Sequence, residues 1–156
     1  MLGALAAVPA MPALAQFRVE VSGVGLTQIP IALPAFRGEE GVSQKISEIV
    51  RADLERSGLF RNIPATGQAL DETSRPDMAE WRQRGADALA TGSVTRLTDG
   101  RYDVRFRLWD VVKAQDLGGQ GFVVVQGDLR LVAHRIADFI YEKLTGEKGI
   151  FSTRIA

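Results

Sequence analysis

Six stretches of the chain show the apolar patterns of β-strands, either alternating with polar residues or as short apolar runs bounded by turn residues. In the first stretch Phe17, Val19 and Val21 alternate with polar residues. The second contains Pro30 and Pro34, which fits a sheet edge or a strand end because proline lacks a backbone donor. The predicted strands span residues 17–21, 29–36, 59–63, 87–96, 102–110 and 121–126.

Three other segments have the helical period. The stripe that begins at Val42 and continues to Leu54 predicts a long helix, which Gly58 closes. A short helix is expected over residues 77–84, with Met78 and Trp81 facing inward, and a second long helix runs from the capping residue Asp128 to Gly146.

Turn residues then define how these elements connect. Residues 98–101 predict a hairpin between the fourth and fifth strands, and the glycine-containing residues 116–120 predict the turn into the last strand. Both long helices need an apolar surface to cover. We therefore expect an α+β fold: a two-layer domain in which two long helices pack on one face of a mixed, mostly antiparallel sheet.

Four regions are expected along the 156 residues. Residues 1–15 form an apolar run that ends in Ala13-Leu14-Ala15, the small-x-small pattern of a signal peptidase site, so they are read as a signal peptide, possibly truncated because no basic residue precedes Arg18. The run is too short for a spanning helix. Residues 16–25 form a separate strand and hinge, residues 26–146 the α+β domain, and residues 147–156 a linker.

Composition excludes several functions. Nineteen basic residues balance nineteen acidic ones, so no overall field draws the chain to nucleic acid or anionic lipid. Arg101, Arg105 and Arg107 form a possible basic strip, but Asp103 and Asp110 interrupt it. The absence of cysteine removes disulfides, thiolate metal sites and cysteine nucleophiles.

No catalytic, metal or cofactor motif is found. His134 is the single histidine and lies in a helical pattern without an associated nucleophile motif. Ser93 lies in a strand pattern without the second glycine of a nucleophile elbow, and residues 38–41 place two carboxylates where a phosphate loop needs donors. A cryptic hydrolase would require a carboxylate or hydroxyl close to His134 in space.

The mature amino terminus is the remaining candidate site. A short amphipathic strand that is joined to its domain by glycines can add to the sheet of another protein. It can equally be the first strand of its own domain, and periodicity does not separate the two. The candidate binding residues are Gln16, Phe17, Arg18, Val19, Glu20, Val21 and Ser22, with Gly23 and Gly25 as the hinge.

Several segments identify a resemblance: residues 17–21, the run Ile31 to Phe36, residues 49–60 and the closing residues 141–156. Together they resemble the amino-terminal domain of the TolB family of periplasmic translocation proteins in the Tol-Pal system. The resemblance implies an α+β domain followed by a six-bladed β-propeller, which binds the lipoprotein Pal and some bacteriocins and is missing here. It also implies that the mature amino terminus, here Phe17 to Val21, binds the carboxy-terminal domain of TolA.

The sequence and the resemblance together predict a periplasmic, non-enzymatic, protein-binding domain that serves outer-membrane integrity and cell division. No cofactor, nucleic acid or direct membrane insertion is expected. The alternatives are an accessory domain of another outer-membrane assembly system and a cryptic hydrolase that uses His134.

Overall fold

A mixed five-stranded sheet organises residues 27–66 and 70–153, the part of the chain that the computed structural model describes. Its strands are β1 (Ile29–Ala32), β2 (Phe60–Ile63), β3 (Ala88–Arg96), β4 (Tyr102–Asp110) and β5 (Gln115–Val124). Its helices are α1 (Ile46–Arg56), α2 (Met78–Gln83) and α3 (Leu129–Thr145). The strand order is β2-β1-β3-β4-β5. The predicted signal peptide, strand 17–21 and hinge lie outside the described residues.

The sheet has a short parallel half and a long antiparallel half. β1 pairs in parallel with both β2 and β3, whereas β3, β4 and β5 form an antiparallel meander. β1 is therefore an interior strand, so of the two expected positions its prolines take the strand end and not the sheet edge: Pro30 is the second residue of β1, and Pro34 lies beyond its last residue. Pro30 is tolerated because it lies near the end of a four-residue strand, where its carbonyl accepts from Asp87 N at 2.8 Å.

Chain connectivity explains the position of the helices. The chain leaves β1, forms α1 and returns in parallel as β2 on one side; it then forms α2 and crosses to β3 on the other side. Parallel crossovers are almost always right-handed, so reversing the direction of the crossover moves the helix to the opposite face. Accordingly, α1 packs in the main core and Trp81 of α2 packs in a separate cluster.

The main core lies between one sheet face and the two long helices, which confirms the predicted α+β architecture. The helices contribute apolar side chains at the predicted spacing, and Tyr102, Val104, Phe106 and Leu108 of β4 face them. Phe106 and Phe139 meet edge to face, with ring centroids 5.0 Å apart. The fully buried helical side chains are Ile46, Val50, Leu54, Leu129, Ala133, Ile136, Ala137 and Ile140.

On the opposite face, a second apolar cluster covers β1, β2, β3 and the end of β4. Trp81 is fully buried there with Leu89 and Trp109, as predicted for a helix whose Trp81 faces inward. The side chains of β4 that alternate with the core residues, Asp103, Arg105 and Arg107, lie on this face. The described structure therefore has a partly open sheet face over β4 and β5.

The predicted turn at residues 116–120 is wrong. The chain turns at residues 111–114, where Asp110 Oδ1 accepts from Lys113 N at 2.9 Å and Ala114 takes a left-handed φ of 54°. The glycines instead lie within β5, beside a register shift between Leu108 and Trp109. At Gly119 a Cβ would lie 2.0 Å from the Phe106 carbonyl oxygen, so glycine permits close strand approach and does not mark a turn.

The first long helix also begins later than its apolar stripe suggests. Val42 is buried but follows a 3₁₀ turn, Glu39–Gly41, and α1 starts at Ile46. The buried Glu39 carboxylate accepts from Ser47 N at 2.9 Å and from Ser47 Oγ. A side chain outside the helix thus provides the acceptor for a backbone N–H of the first turn, which has no partner within the helix. At α3, Asp128 occupies the cap position without a side-chain capping bond, whereas Gly146 ends the helix with a φ of 79°.

A loop that crosses the second sheet face is held by Asp71, which is buried. Its Oδ1 accepts from the Thr73 hydroxyl at 2.7 Å and from Thr73 N at 2.9 Å, and its carboxylate forms an ion pair with Arg37. The Thr73 hydroxyl is the main reason that the pKa of Asp71 lies below its ordinary value of 3.8; burial opposes the shift, and Thr73 N, Ser74 and Arg37 add to it.

Two glycines of β5 give a matched stability test. Gly119→Ala should lower the free energy of unfolding by about 1–3 kcal/mol, because the added methyl forces the strands apart. Gly121→Ala should cost little, since its Cβ would meet nothing closer than Arg105 Cγ at 3.5 Å. Urea unfolding followed by circular dichroism measures both, and equal losses would contradict this account of β5.

Asp71 predicts a pH dependence. Because its folded pKa is lowered, the carboxylate stabilises the fold above its ordinary pKa, and this contribution disappears as the pH falls through the lowered value. Asp71→Asn should be less stable than the parent by about 1–3 kcal/mol at pH 7. The difference should shrink progressively below about pH 4. Thermal unfolding between pH 2 and pH 7 tests this, and a constant difference would rule out the assigned role.

Candidate partner-binding site

The predicted binding residues, Gln16 to Ser22, and the hinge glycines Gly23 and Gly25 lie outside the described residues. The structure does describe the point at which this segment joins the domain. Gln28 Nε2 donates to the Gly58 carbonyl at 3.2 Å, and Ile29 N donates to the Leu59 carbonyl at 2.8 Å. The segment therefore connects directly to β1, beside the turn that follows α1.

The proposed basic strip on β4 is locally neutralised. Arg101 pairs with Asp99, Arg105 with Asp103, and Arg107 with Asp116, at nitrogen–oxygen distances of 2.8, 3.0 and 2.7 Å. Arg101 lowers the pKa of Asp99, chiefly by donation from its backbone N–H, and hydrogen bonding to Asp103 raises the pKa of Arg105. A phosphate backbone would have to displace these carboxylates, so the geometry disfavours the nucleic-acid reading.

The open sheet face carries a groove that sequence reasoning did not identify. It has a volume of about 570 Å³, and its floor is formed by Gly119 and Gly121 of β5 between Arg105, Val123 and the loop residue Glu72. The Glu72 Oε1 atom is buried and has no hydrogen-bond partner among the described residues. A groove beside a sheet edge with an unsatisfied carboxylate is a second candidate surface for a partner.

His134 does have a carboxylate neighbour, which the sequence had left open. Its Nδ1 lies 2.6 Å from Oδ2 of Asp53, which is buried on α1 and also pairs with Arg56. The signal in the sequence was the position of Asp53, three residues after Val50 on the stripe of α1 that faces α3. The contact joins the two long helices.

A histidine and an aspartate become hydrolytic only with a nucleophile at the other ring nitrogen. Within residues 27–66 and 70–153, the bond to Asp53 is the one hydrogen bond of the His134 ring. Ser152 lines the same 860 Å³ depression as His134, but its hydroxyl donates to Asp138. The pair is thus built as a link between helices, with no activated hydroxyl in the described structure.

The closing segment packs against α3 as far as it is described. Asp138 accepts from Phe151 N at 2.7 Å and from Ser152 N at 3.1 Å, and the Phe151 ring meets Tyr141 edge to face at 5.6 Å. The predicted linker thus begins on the surface of the helix.

The described residues contain no group of three or more His, Cys, Asp or Glu side chains arranged to hold a metal ion. In the same part of the chain, no helix has both the length and the apolar character needed to cross a membrane.

Comparison with known proteins shows the family. Residues 17–117 match the family model described as the TolB amino-terminal domain. Proteins named Tol-Pal system protein TolB from Albidiferax ferrireducens and Polaromonas naphthalenivorans are 74% and 67% identical over 145 and 153 residues, which are 93% and 98% of this chain. The chain spans about a third of their length, 34% and 36% respectively.

A solved structure agrees with the sequence comparison. The crystal structure of TolB from Acinetobacter baumannii superposes with a TM-score of 0.68 at 29% identity, over 81% of this chain and 30% of that one. The family match includes residues 17–21, strands β1 to β4 and α1. The chain therefore belongs to the TolB amino-terminal domain family of Tol-Pal system proteins.

Proposed function

We propose that this chain is a periplasmic, non-enzymatic binding domain of the Tol-Pal system and that residues Gln16 to Ser22 bind TolA. Family membership, with a relative that is 74% identical over 145 residues, is the observation that carries the proposal. The alternation of Phe17, Val19 and Val21 with polar residues supplies a strand that can add to a partner sheet, with backbone bonds for affinity and three apolar anchors for selectivity.

The position of β1 supports this assignment. β1 is held on both sides by β2 and β3, so the segment that precedes it begins at a fixed point of the sheet. A tethered strand with glycines at its base is free to change partners without disturbing the core. We place Gly23 and Gly25 at that hinge.

The wider roles belong to the longer protein. Since the chain spans about a third of its relatives, we assign binding of Pal to the propeller expected outside these 156 residues. Through TolA and Pal the whole protein would connect the two membranes, serving outer-membrane integrity, cell division and bacteriocin import. An accessory role in another outer-membrane assembly system is the alternative if TolA does not bind.

The binding segment can be tested by substitution. Phe17→Asp and Val19→Asp should each weaken binding of the TolA carboxy-terminal domain at least about tenfold, because a buried apolar anchor becomes a desolvated charge. Deletion of residues 16–22 should abolish binding. Calorimetric titration gives the affinities, and far-UV circular dichroism confirms that the fold is retained.

Ile150→Asp is the matched control, since Ile150 is 71% exposed and lies at the other end of the chain. It should bind TolA as the parent does. Undiminished binding by the deletion variant would remove TolA recognition from this segment, and absence of binding by the parent would favour the other assembly system.

The His134–Asp53 pair provides a test of the non-enzymatic assignment. His134→Ala should lower the free energy of unfolding by about 1–3 kcal/mol, because the buried Asp53 loses a hydrogen bond. TolA affinity should not change. If the parent chain hydrolyses p-nitrophenyl acetate or a casein substrate and this variant does not, the cryptic hydrolase replaces our assignment.

A further inference from the structure

We propose that the groove over β4 and β5 is a second protein-binding surface, which accepts an extended segment of a partner and holds one of its Lys or Arg side chains against Glu72. This surface lies on the sheet face opposite the two long helices. Two independent features lead to the proposal: the open edge of β5 and the charge distribution in the groove.

The edge of β5 is built for strand addition. β5 has ten residues and, among the described strands, pairs only with β4, so within the described structure its other side has unpaired backbone donors and acceptors. It lacks the lysines and prolines that protect many exposed edges, and its one charged residue, Asp116, is paired with Arg107. The register shift lies near Asp116, which leaves residues 118–124 as a regular edge.

The groove beside this edge has one unmatched charge. Arg105 is neutralised by Asp103, and Arg107 by Asp116. Among the described residues Glu72 has no basic nitrogen within 4.0 Å and a buried oxygen without a hydrogen-bond donor; its charge acts on Arg105, but Arg105 is already paired with Asp103. An unsatisfied buried carboxylate oxygen is costly, so a cation or donor that reaches it gains affinity.

Strand packing requires only one of the two glycines in the groove floor, and the other leaves open space that a side chain could fill. Gly119 is needed for strand approach, because its Cβ would clash with the Phe106 backbone. Gly121 is different: its Cβ would make only ordinary contacts, and its φ lies outside the left-handed region. A side chain at residue 121 would therefore fill the groove without disturbing the sheet.

The occupant follows from these features. An extended segment would form backbone hydrogen bonds along the edge of β5, and its Lys or Arg side chain would pair with the Glu72 carboxylate. Val123, which is 48% exposed, offers an apolar contact in the same groove. A segment with acidic side chains would add to the unmatched negative charge and is disfavoured. A second copy of the chain could also pair along β5, and the experiment below separates that case.

The test uses the 156-residue chain labelled with ¹⁵N and a blocked seven-residue peptide of alternating threonine and lysine. The matched peptide contains glutamate in place of lysine. We expect the amide signals of Gly119, Gly121 and Val123 to move saturably with the lysine peptide and not with the glutamate peptide. Glu72→Gln should weaken binding of the lysine peptide about tenfold, and Gly121→Val should abolish that binding.

Glu40→Gln is the control, since it removes one exposed carboxylate outside the groove and should leave the affinity unchanged. Far-UV circular dichroism establishes that Gly121→Val is folded, and Glu72→Gln tests the groove independently. The proposal is overturned if the lysine peptide gives no saturable shift, if both groove variants bind as the parent does, or if β5 signals shift on dilution alone, which would assign the edge to a second copy. Deletion of residues 16–22 should not affect this binding, so its outcome is independent of TolA recognition.

Discussion

Burial of one sheet face under α1 and α3 is the interaction on which the other features depend. A fully buried Leu, Ile, Val or Phe side chain stabilises a fold by roughly 1.5–3 kcal/mol relative to exposure. The two helices and the facing strands supply a continuous cluster of such residues. Because this cluster fixes the sheet, the opposite face can remain partly open, and the chain before β1 can carry the proposed binding segment.

Electrostatic interactions are organised locally. Asp53 and His134 connect the two helices, Glu39 satisfies the start of α1, and Asp71 ties a loop across the second face. Exposed arginines on β4 each have an acidic neighbour. A surface paired in this way produces little long-range attraction, so recognition must depend on backbone pairing and on individual contacts.

Sequence patterns predicted the elements in which one periodicity dominates. The strand at residues 102–110 was correctly bounded because core and surface residues alternate throughout, and the helix from Leu129 was located because its apolar stripe is continuous. The start of α1 was misplaced because Val42 is buried without being helical. The glycines of β5 were taken for a turn because composition does not distinguish a turn glycine from one required by an approaching carbonyl.

The candidate sites likewise divide into one that a local sequence pattern predicts and others that only the folded chain brings together. The contact between His134 and Asp53 joins residues 81 positions apart, so no local pattern reveals it. The groove at Glu72 likewise depends on a loop that folds over distant strands. The amino-terminal strand is predicted from its periodicity and its binding role from the family resemblance, and both remain predictions.

The position of β1 has a mechanical consequence. A pull applied to residue 27 along the strand axis would load the hydrogen bonds to β2 and β3 in parallel, as shear, whereas a pull on an edge strand perpendicular to its axis would break them one after another. An interior strand with both flanks bonded therefore distributes tension across the sheet. If the partner proposed to bind before β1 pulls on the chain along the strand axis, the hydrogen bonds on both flanks of β1 would share that force.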